Sequence, residues 1–199
     1  MKKLTITITL LILIAIGFTV YKGYTDGSFM KSKQKDTAIV VKDFINMMIP
    51  HHEEAITSSL KVMNDLDITE PKVRIFAANV VDTQSFEVSK MKNIYSLYLG
   101  GEYSTSTNKA SHMMGDVTTL KGDELAKIYT KDMIKHHEQA VKEAKDFIKF
   151  IDEIRKSDST SKEGLTITNS HPAVDDTYQI AKDIVESQEK EIELLKTWY

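Results

Sequence analysis

The strongest constraint on the fold is an internal repeat built around paired histidines. The segment DFINMMIPHHEEA, at 43–55, recurs 85 residues later as IYTKDMIKHHEQA, at 128–140. A second pattern, Gln-x-x-Glu followed four residues later by Met or Leu, occurs at 84–91 and again 104 residues later, at 188–195. The order is first motif, second motif, first motif, second motif. The chain therefore contains two copies of one supersecondary unit.

Each copy predicts a helical hairpin. Apolar residues between Phe44 and Val62 recur with the 3.6-residue period of a helix that buries one face. A second helix is predicted to begin with Thr69 as its N-cap, just before a proline, and to end at Gly100. Pro50 predicts either a kink in the first helix or a helix that begins near Ile49. The expected fold class is all-α: an up-down four-helix bundle made of two repeated hairpins.

The N-terminus predicts an export signal or a membrane anchor. Lys2 and Lys3 precede the apolar run Leu4–Val20, which contains no charge. The favoured interpretation is an uncleaved helix that spans the cell membrane and leaves the bundle outside the cytoplasm. The alternative is cleavage near Ala15-Ile16-Gly17, which would release a secreted or periplasmic protein. We expect residues 1–24 to be the signal or anchor, 25–35 a linker and 36–199 the bundle, with hairpins at 36–100 and 121–199.

Charge and cysteine content exclude several classes of protein. The chain has 26 basic and 29 acidic residues, so a strongly basic nucleic-acid surface is not expected. It has no cysteine, which rules out disulfides, thiolate zinc sites and cysteine nucleophiles. No nucleophile elbow or phosphate-binding loop occurs either, and we do not expect an enzyme.

The repeated motifs place metal-binding side chains on the predicted core faces. Met48 lies one turn before His51 and His52, and the second copy repeats this arrangement. A carboxylate on a core face costs several kcal/mol unless it is paired, so we expect each buried glutamate beside a histidine of the paired helix. The candidates for this supporting role, on the second helix of each hairpin, are Gln84, Glu87, Met91, Gln188 and Glu191.

The ligand types favour copper. Thioether and imidazole groups without thiolate suit Cu(I) better than iron, zinc or calcium. Di-iron bundles use Glu-x-x-His, which does not occur in this chain. The connection between the hairpins adds a second cluster of imidazole and thioether ligands, at His112, Met113 and Met114. Another divalent metal is the alternative cofactor.

The repeated MIPHH and MIKHH segments, each followed by a Gln-x-x-Glu helix, resemble the bacterial family called domain of unknown function 305. The resemblance covers most of residues 36–199, and the second copy departs from it by losing the proline. It implies a ferritin-like bundle, exported or membrane-anchored, with copper binding and tolerance in some members. Leu195 stands where the first copy has Met91, so the halves need not bind metal equally. The implied metal ligands are Met48, His51, His52, His112, Met113, Met114, Met133, His136 and His137.

Three functions remain open at this point. The leading hypothesis is an extracytoplasmic protein that sequesters or delivers copper. Its expected partners are the membrane, through the N-terminal helix, and a copper-transfer protein or a second copy of the chain. The second hypothesis is a non-catalytic structural or interaction bundle in which His–Glu pairs fix the register of the helices. The third is a metal-dependent oxidase.

Overall fold

The computed structural model describes residues 28–104, 114–115, 117, 119–159 and 171–198. Within these residues it contains four helices and no strand: α1 (Ser28–Asn64), α2 (Pro71–Tyr98), α3 (Gly122–Ser159) and α4 (Pro172–Lys196). Contacts divide the chain into a unit that ends at Ile39 and a unit of Val40–Tyr199, which contains the bundle. The prediction of an all-helical bundle made from two hairpins is confirmed.

Helix α1 is longer than the sequence indicated. It begins at Ser28, so residues 28–35 of the predicted linker are helical. The stretch from 28 to 49 contains neither glycine nor proline, and nothing in it ends a helix. The helix also continues through Pro50, at the cost of one backbone hydrogen bond. A helix that begins near Ile49 was therefore the wrong alternative.

The start of α2 differs from the predicted cap, whereas its end agrees. The N-cap residue is Glu70, which makes no side-chain cap hydrogen bond. Thr69 instead donates its backbone N–H and its hydroxyl to the two carboxylate oxygens of Asp123, both at 2.8 Å, and so ties α2 to the start of α3. The helix ends at Tyr98, before Gly100 with its φ of 104°, which only glycine adopts easily.

Two apolar clusters fill the bundle, one at each end. Core one consists of buried residues within the ranges 41–49, 88–94, 140–151 and 173–184. Core two consists of buried residues within 55–80 and 125–133, together with Met114, Val117 and Leu195. Helix α1 passes from core one to core two, while α3 passes from core two to core one. The two helices therefore run in opposite directions, and each carries its histidine pair at the boundary between the cores.

Surface ion pairs follow the same repeat as the buried motifs. Glu53 lies 2.6 Å from Lys92, and the equivalent Glu138 lies 2.7 Å from Lys196. Exposed pairs of this kind contribute about 0–1 kcal/mol, so they do little for stability. They show that both hairpins have the same register.

Among the described residues, no helix has both the length and the apolar character needed to cross a bilayer. The predicted signal or anchor at 1–24 lies outside the described residues.

Candidate metal centre

Eight polar side chains form a layer between the two apolar cores. All four histidines of the repeated motifs are buried, with at most 1% of each residue exposed. The two glutamates reach further out: their side chains are 11% exposed in Glu87 and 18% exposed in Glu191. We call this set the histidine layer; its members are His51, His52, Gln84, Glu87, His136, His137, Gln188 and Glu191.

The two copies of the motif meet at the middle of the layer. The rings of His51 and His136 stack with their centroids 3.6 Å apart and their planes tilted by 34°. Nε2 of His136 lies 3.0 Å from the carbonyl oxygen of His51 and donates its hydrogen to it. One imidazole from α1 and one from α3 are thus in direct contact.

The other histidine of each pair contacts the glutamate of its own hairpin. Nε2 of His52 donates to Oε2 of Glu87 at 2.8 Å. Nε2 of His137 lies 2.8 Å from Oε2 of Glu191, although the angles there do not make a hydrogen bond. The prediction that Glu87 and Glu191 each lie beside a histidine of the paired helix is confirmed.

These contacts explain why both histidines of each pair are buried. Adjacent residues of a helix point about 100° apart, so one side chain alone can face a given neighbour. In α1, His51 faces α3 and His52 faces α2; in α3, His136 faces α1 and His137 faces α4. The sequence could not show which histidine turns inward, because each has a different helix to face.

The hydrogen-bond partners indicate which ring nitrogen carries the proton. An ionised carboxylate and a carbonyl oxygen can only accept, so we infer that Nε2 is protonated in His52 and in His136. In the neutral form of each ring, the Nδ1 atom then carries a lone pair. Neither Nδ1 has a hydrogen-bond partner among the described residues. Both lone pairs are available to an electrophile.

The layer contains many buried polar atoms without hydrogen bonds. Of the eight imidazole nitrogens, six form none to the described part of the chain, including both nitrogens of His51. The side-chain amide nitrogen and oxygen of Gln84 and of Gln188 also form no hydrogen bond to the described residues. Leaving a buried polar group unpaired costs about 1–3 kcal/mol, so such a cluster is a candidate site for a ligand.

Burial keeps the two central histidines uncharged. Loss of solvation, with the neighbouring His52 and His137 as smaller causes, lowers the pKa of His51 to about 3. Burial also lowers the pKa of His136 far below its usual value, with His51 as the next cause. Imidazole binds metals in its neutral form, so both rings are in the metal-binding state at neutral pH.

Methionine sulfurs lie in the apolar cores on both sides of the layer. Met48 and Met91 belong to core one, and both are completely buried. Met133 belongs to core two, together with Met114 from the connection between the hairpins. Leu195 takes the place in core two that Met91 has in core one. The candidate ligands His112 and Met113 lie outside the described residues.

Two acidic residues that the sequence analysis did not select hold the connection beside the layer. Glu54 accepts a hydrogen bond from the backbone N–H of Met114 at 2.9 Å, and its other oxygen lies 3.9 Å from Nε2 of His136. Asp132 accepts one from the backbone N–H of Gly115 at 3.2 Å. Glu54 could have been found, since it follows His51 by three residues and shares its helix face. Nothing in the sequence marks Asp132.

The donor set fits a soft metal ion, but its side chains are not yet in ligating positions. No three His, Asp or Glu side chains among the described residues converge into a group that could hold an ion. The stacked rings of His51 and His136 must rotate before their lone pairs can point at one atom. The remaining donors are thioethers, and thioether with imidazole is a set for Cu(I).

Comparison with known proteins supports the resemblance found in the motifs. The model of the DUF305 family, a domain of unknown function, matches residues 28–95, which include α2 up to Tyr95 and all of α1. The predicted similarity to this family is confirmed. No curated protein matches the chain.

Solved structures share the fold at low sequence identity. CopM in its Cu(I)-bound form has a TM-score of 0.57 and 23% identity, over 80% of this chain and 94% of CopM. The Ag-bound form of CopM has a TM-score of 0.56 and 24% identity, over 80% and 94% of the two chains. A DUF305 protein of Streptomyces coelicolor, described as secreted, has a TM-score of 0.56 and 22% identity, over 78% and 89%. At these identities the likeness establishes the fold.

Proposed function

We propose that this chain is an extracytoplasmic copper-binding protein that holds Cu(I) in the histidine layer and sequesters it or hands it on. The observation that carries the proposal is which nitrogen of each imidazole has a polar partner. Nε2 of His52, His136 and His137 lies against a carboxylate or a carbonyl oxygen, and Nδ1 of each ring has no partner among the described residues. Histidines that bind metals are held in this way, with the second ring nitrogen donating to such an acceptor.

Three further arguments favour copper over other metals. The layer lies between Met48 in core one and Met133 in core two, and their sulfurs are the nearest soft donors along the two helices. The carboxylates of Glu87 and Glu191 are engaged with histidines, which leaves few hard donors for iron, zinc or calcium. CopM, which shares the fold, is known in Cu(I)-, Cu(II)- and Ag-bound forms.

The N-terminal sequence supports the proposed location. Lys2 and Lys3 before an apolar run are typical of export, and a relative in fold is described as secreted. Within this proposal the first 24 residues direct the bundle out of the cytoplasm and keep it at the membrane. We expect no catalytic turnover, since the four histidines are buried and a carrier needs only ligands and a way to exchange the ion.

One observation favours the structural alternative. His52 with Glu87, and His137 with Glu191, could serve only to fix the register of each hairpin. This alternative requires the histidines but not the sulfur of any methionine. Substituting methionine therefore separates the two functions.

The test compares Cu(I) affinity in the full-length chain with Met48→Leu or Met133→Leu. Leucine fits a methionine site at a cost usually below about 1.5 kcal/mol, while it removes the sulfur. We expect each variant to lose at least about tenfold in affinity, the scale found even for groups one step removed from a metal. The matched control is Met63→Leu, since Met63 packs against core two away from the layer.

Anaerobic competition with a chromogenic Cu(I) chelator measures the affinity, and circular dichroism of the metal-free variants confirms folding. Equal affinity in the parent and in both layer variants would reject ligation by thioether. Failure of the parent itself to bind Cu(I) would leave the structural role. Oxygen consumption by the copper-loaded protein, above that of free copper, would favour the oxidase.

A further inference from the structure

The outer face of α2 carries a line of exposed apolar side chains. Ile75 and Phe86 are each 62% exposed, and Leu97 is 71% exposed. They are spaced by 11 residues, which is close to three helical turns, so they lie on one face. The line is about 33 Å long at 1.5 Å per residue. Exposed apolar side chains that stand singly are common, so the case for a contact surface depends on the residues between them.

The residues between them are arranged symmetrically around Phe86. Asp82 lies four residues before it and Lys90 four residues after it, while Asn79 and Asn93 lie seven residues before and after. Offsets of four and seven keep a residue on the same helix face. We call this face the α2 stripe; its members are Ile75, Asn79, Asp82, Phe86, Lys90, Asn93 and Leu97. Reversing the stripe exchanges Ile with Leu, Asn with Asn and Asp with Lys.

We propose that the α2 stripe is the interface with a second copy of this chain, in which two α2 helices pack antiparallel around a two-fold axis at Phe86. A two-fold interface must be complementary to itself, because the same patch is used on both copies. In this arrangement Phe86 contacts the partner's Phe86, and Ile75 contacts the partner's Leu97. Asp82 faces the partner's Lys90, and this ion pair occurs twice.

The charges select the antiparallel orientation. Parallel packing would place Asp82 against the partner's Asp82 and Lys90 against the partner's Lys90, and like charges opposed at an interface are unfavourable. Asp82 has no ion pair with the described residues of its own chain. Lys90 has a weak one, 3.9 Å from Asp183, and its amine lies 4.6 Å from the centre of the Phe86 ring. Both charges are therefore available to a partner.

The composition of the stripe favours a protein over a lipid surface as the occupant. A helix that lies on a membrane has a continuous apolar face, whereas this line is interrupted by two amides and a pair of opposite charges. One helix from each copy makes a small interface, below the roughly 800 Å² per partner of a standard complex. We therefore expect a weak dimer that dissociates in the micromolar range.

Cysteine cross-linking tests the register, since the native chain has no cysteine. Full-length Phe86→Cys in mild detergent should form a disulfide dimer under oxidation, because residues on the axis come within disulfide range. A mixture of Ile75→Cys and Leu97→Cys chains should form mixed dimers in preference to either chain with itself. The control is Leu66→Cys, which is 78% exposed but lies outside the stripe. Cross-linking at Phe86 no stronger than at Leu66, or preferential self-pairing of Ile75→Cys, would overturn the proposal.

Charge reversal provides an independent measurement by analytical ultracentrifugation. Asp82→Lys and Lys90→Asp should each weaken the dimer by about tenfold or more, while the double variant, which exchanges the two charges, should recover it. Mixing the two single variants should also give a heterodimer. Circular dichroism checks that each variant is folded. Weakening in the double variant as large as the sum of the two singles would refute the pairing of Asp82 with Lys90. Copper binding does not enter either experiment.

Discussion

Replacing His51 by leucine should stabilise the metal-free protein while abolishing the copper binding that we propose. Both ring nitrogens of His51 are buried without a hydrogen bond to the described residues, whereas the other three histidines each have one nitrogen at an acceptor. Leucine fills the space without a polar atom. The carbonyl of residue 51, which accepts from His136, is retained in the variant.

The gain and the loss can be compared. Removing two unpaired nitrogens at the low end of about 1–3 kcal/mol each gains about 2 kcal/mol. Losing the stacked ring of His136, 3.6 Å away, costs at most about 1.5 kcal/mol on the scale of aromatic pairs. The gain is larger even with these unfavourable choices, so we expect at least about 0.5 kcal/mol of added stability. For a chain of this size, that raises the Tm by at least about 1–2 °C.

The matched variant is His52→Leu, which should have the opposite effect on stability. It leaves the carboxylate of Glu87 buried without its hydrogen-bond donor, and an unsatisfied buried acceptor costs about 1–3 kcal/mol, or more when it is charged. Thermal unfolding of chelator-treated protein, followed by circular dichroism, measures both variants. A lower Tm for His51→Leu than for the parent would refute the claim that His51 is kept for a ligand, and would assign it to the fold instead.

Three further predictions follow from the buried groups. First, the pKa of His51 is about 3 in the folded state and near 6.5 in the unfolded state, and the pKa of folded His136 is also lowered. At a pH between the folded and unfolded pKa values, the unfolded state therefore binds more protons than the folded state. The free energy of unfolding of the metal-free chain, measured with urea, should therefore fall by about 1.4 kcal/mol per pH unit for each histidine as the pH drops below 6.5. A free energy of unfolding that does not change with pH in this range would contradict the prediction. Second, Glu87→Gln should cost more free energy of copper binding than free energy of unfolding. The glutamine amide keeps the shape of the glutamate side chain and one hydrogen-bond acceptor, but it does not keep the charge. Third, Tyr129→Phe should cost about 1–3 kcal/mol of stability because it leaves the buried hydroxyl of Ser59 without its 2.7 Å partner, and Ser59→Ala added to it should recover most of that loss in the same assay.

The sequence predicted the architecture because the internal repeat and the helical periodicity both indicate the same helical hairpin. Two copies of a motif at spacings of 85 and 104 residues require equivalent hairpins, and the equivalent contacts of Glu87 and Glu191 confirm this. Helix ends were less predictable, since they depend on partners distant in sequence. Threonine is a common N-cap residue, yet the backbone N–H and the hydroxyl of Thr69 both donate to Asp123, which is 54 residues away.

The candidate site was predictable in its composition but not in its geometry. A buried carboxylate needs a partner, and this was sufficient to place Glu87 beside a histidine of α1. The contact between His51 and His136 could not be predicted, because it depends on how the two hairpins dock. The contribution of Glu54, which anchors the connection at Met114, depends on the path of a loop that no periodicity describes.

The antiparallel docking of the two copies determines what kind of centre the repeat can form. If the hairpins were independent, each would have its own histidine pair and its own ligand. Because α1 and α3 pass each other in opposite directions, both pairs arrive at one level, and His51 contacts His136 across the boundary. The two halves then need not be identical: Leu195 stands in core two where Met91 stands in core one, while Met114 brings a thioether to core two from the connection. A centre shared in the way we propose would tolerate such differences, because a ligand absent from one copy can be supplied by another element that reaches the layer.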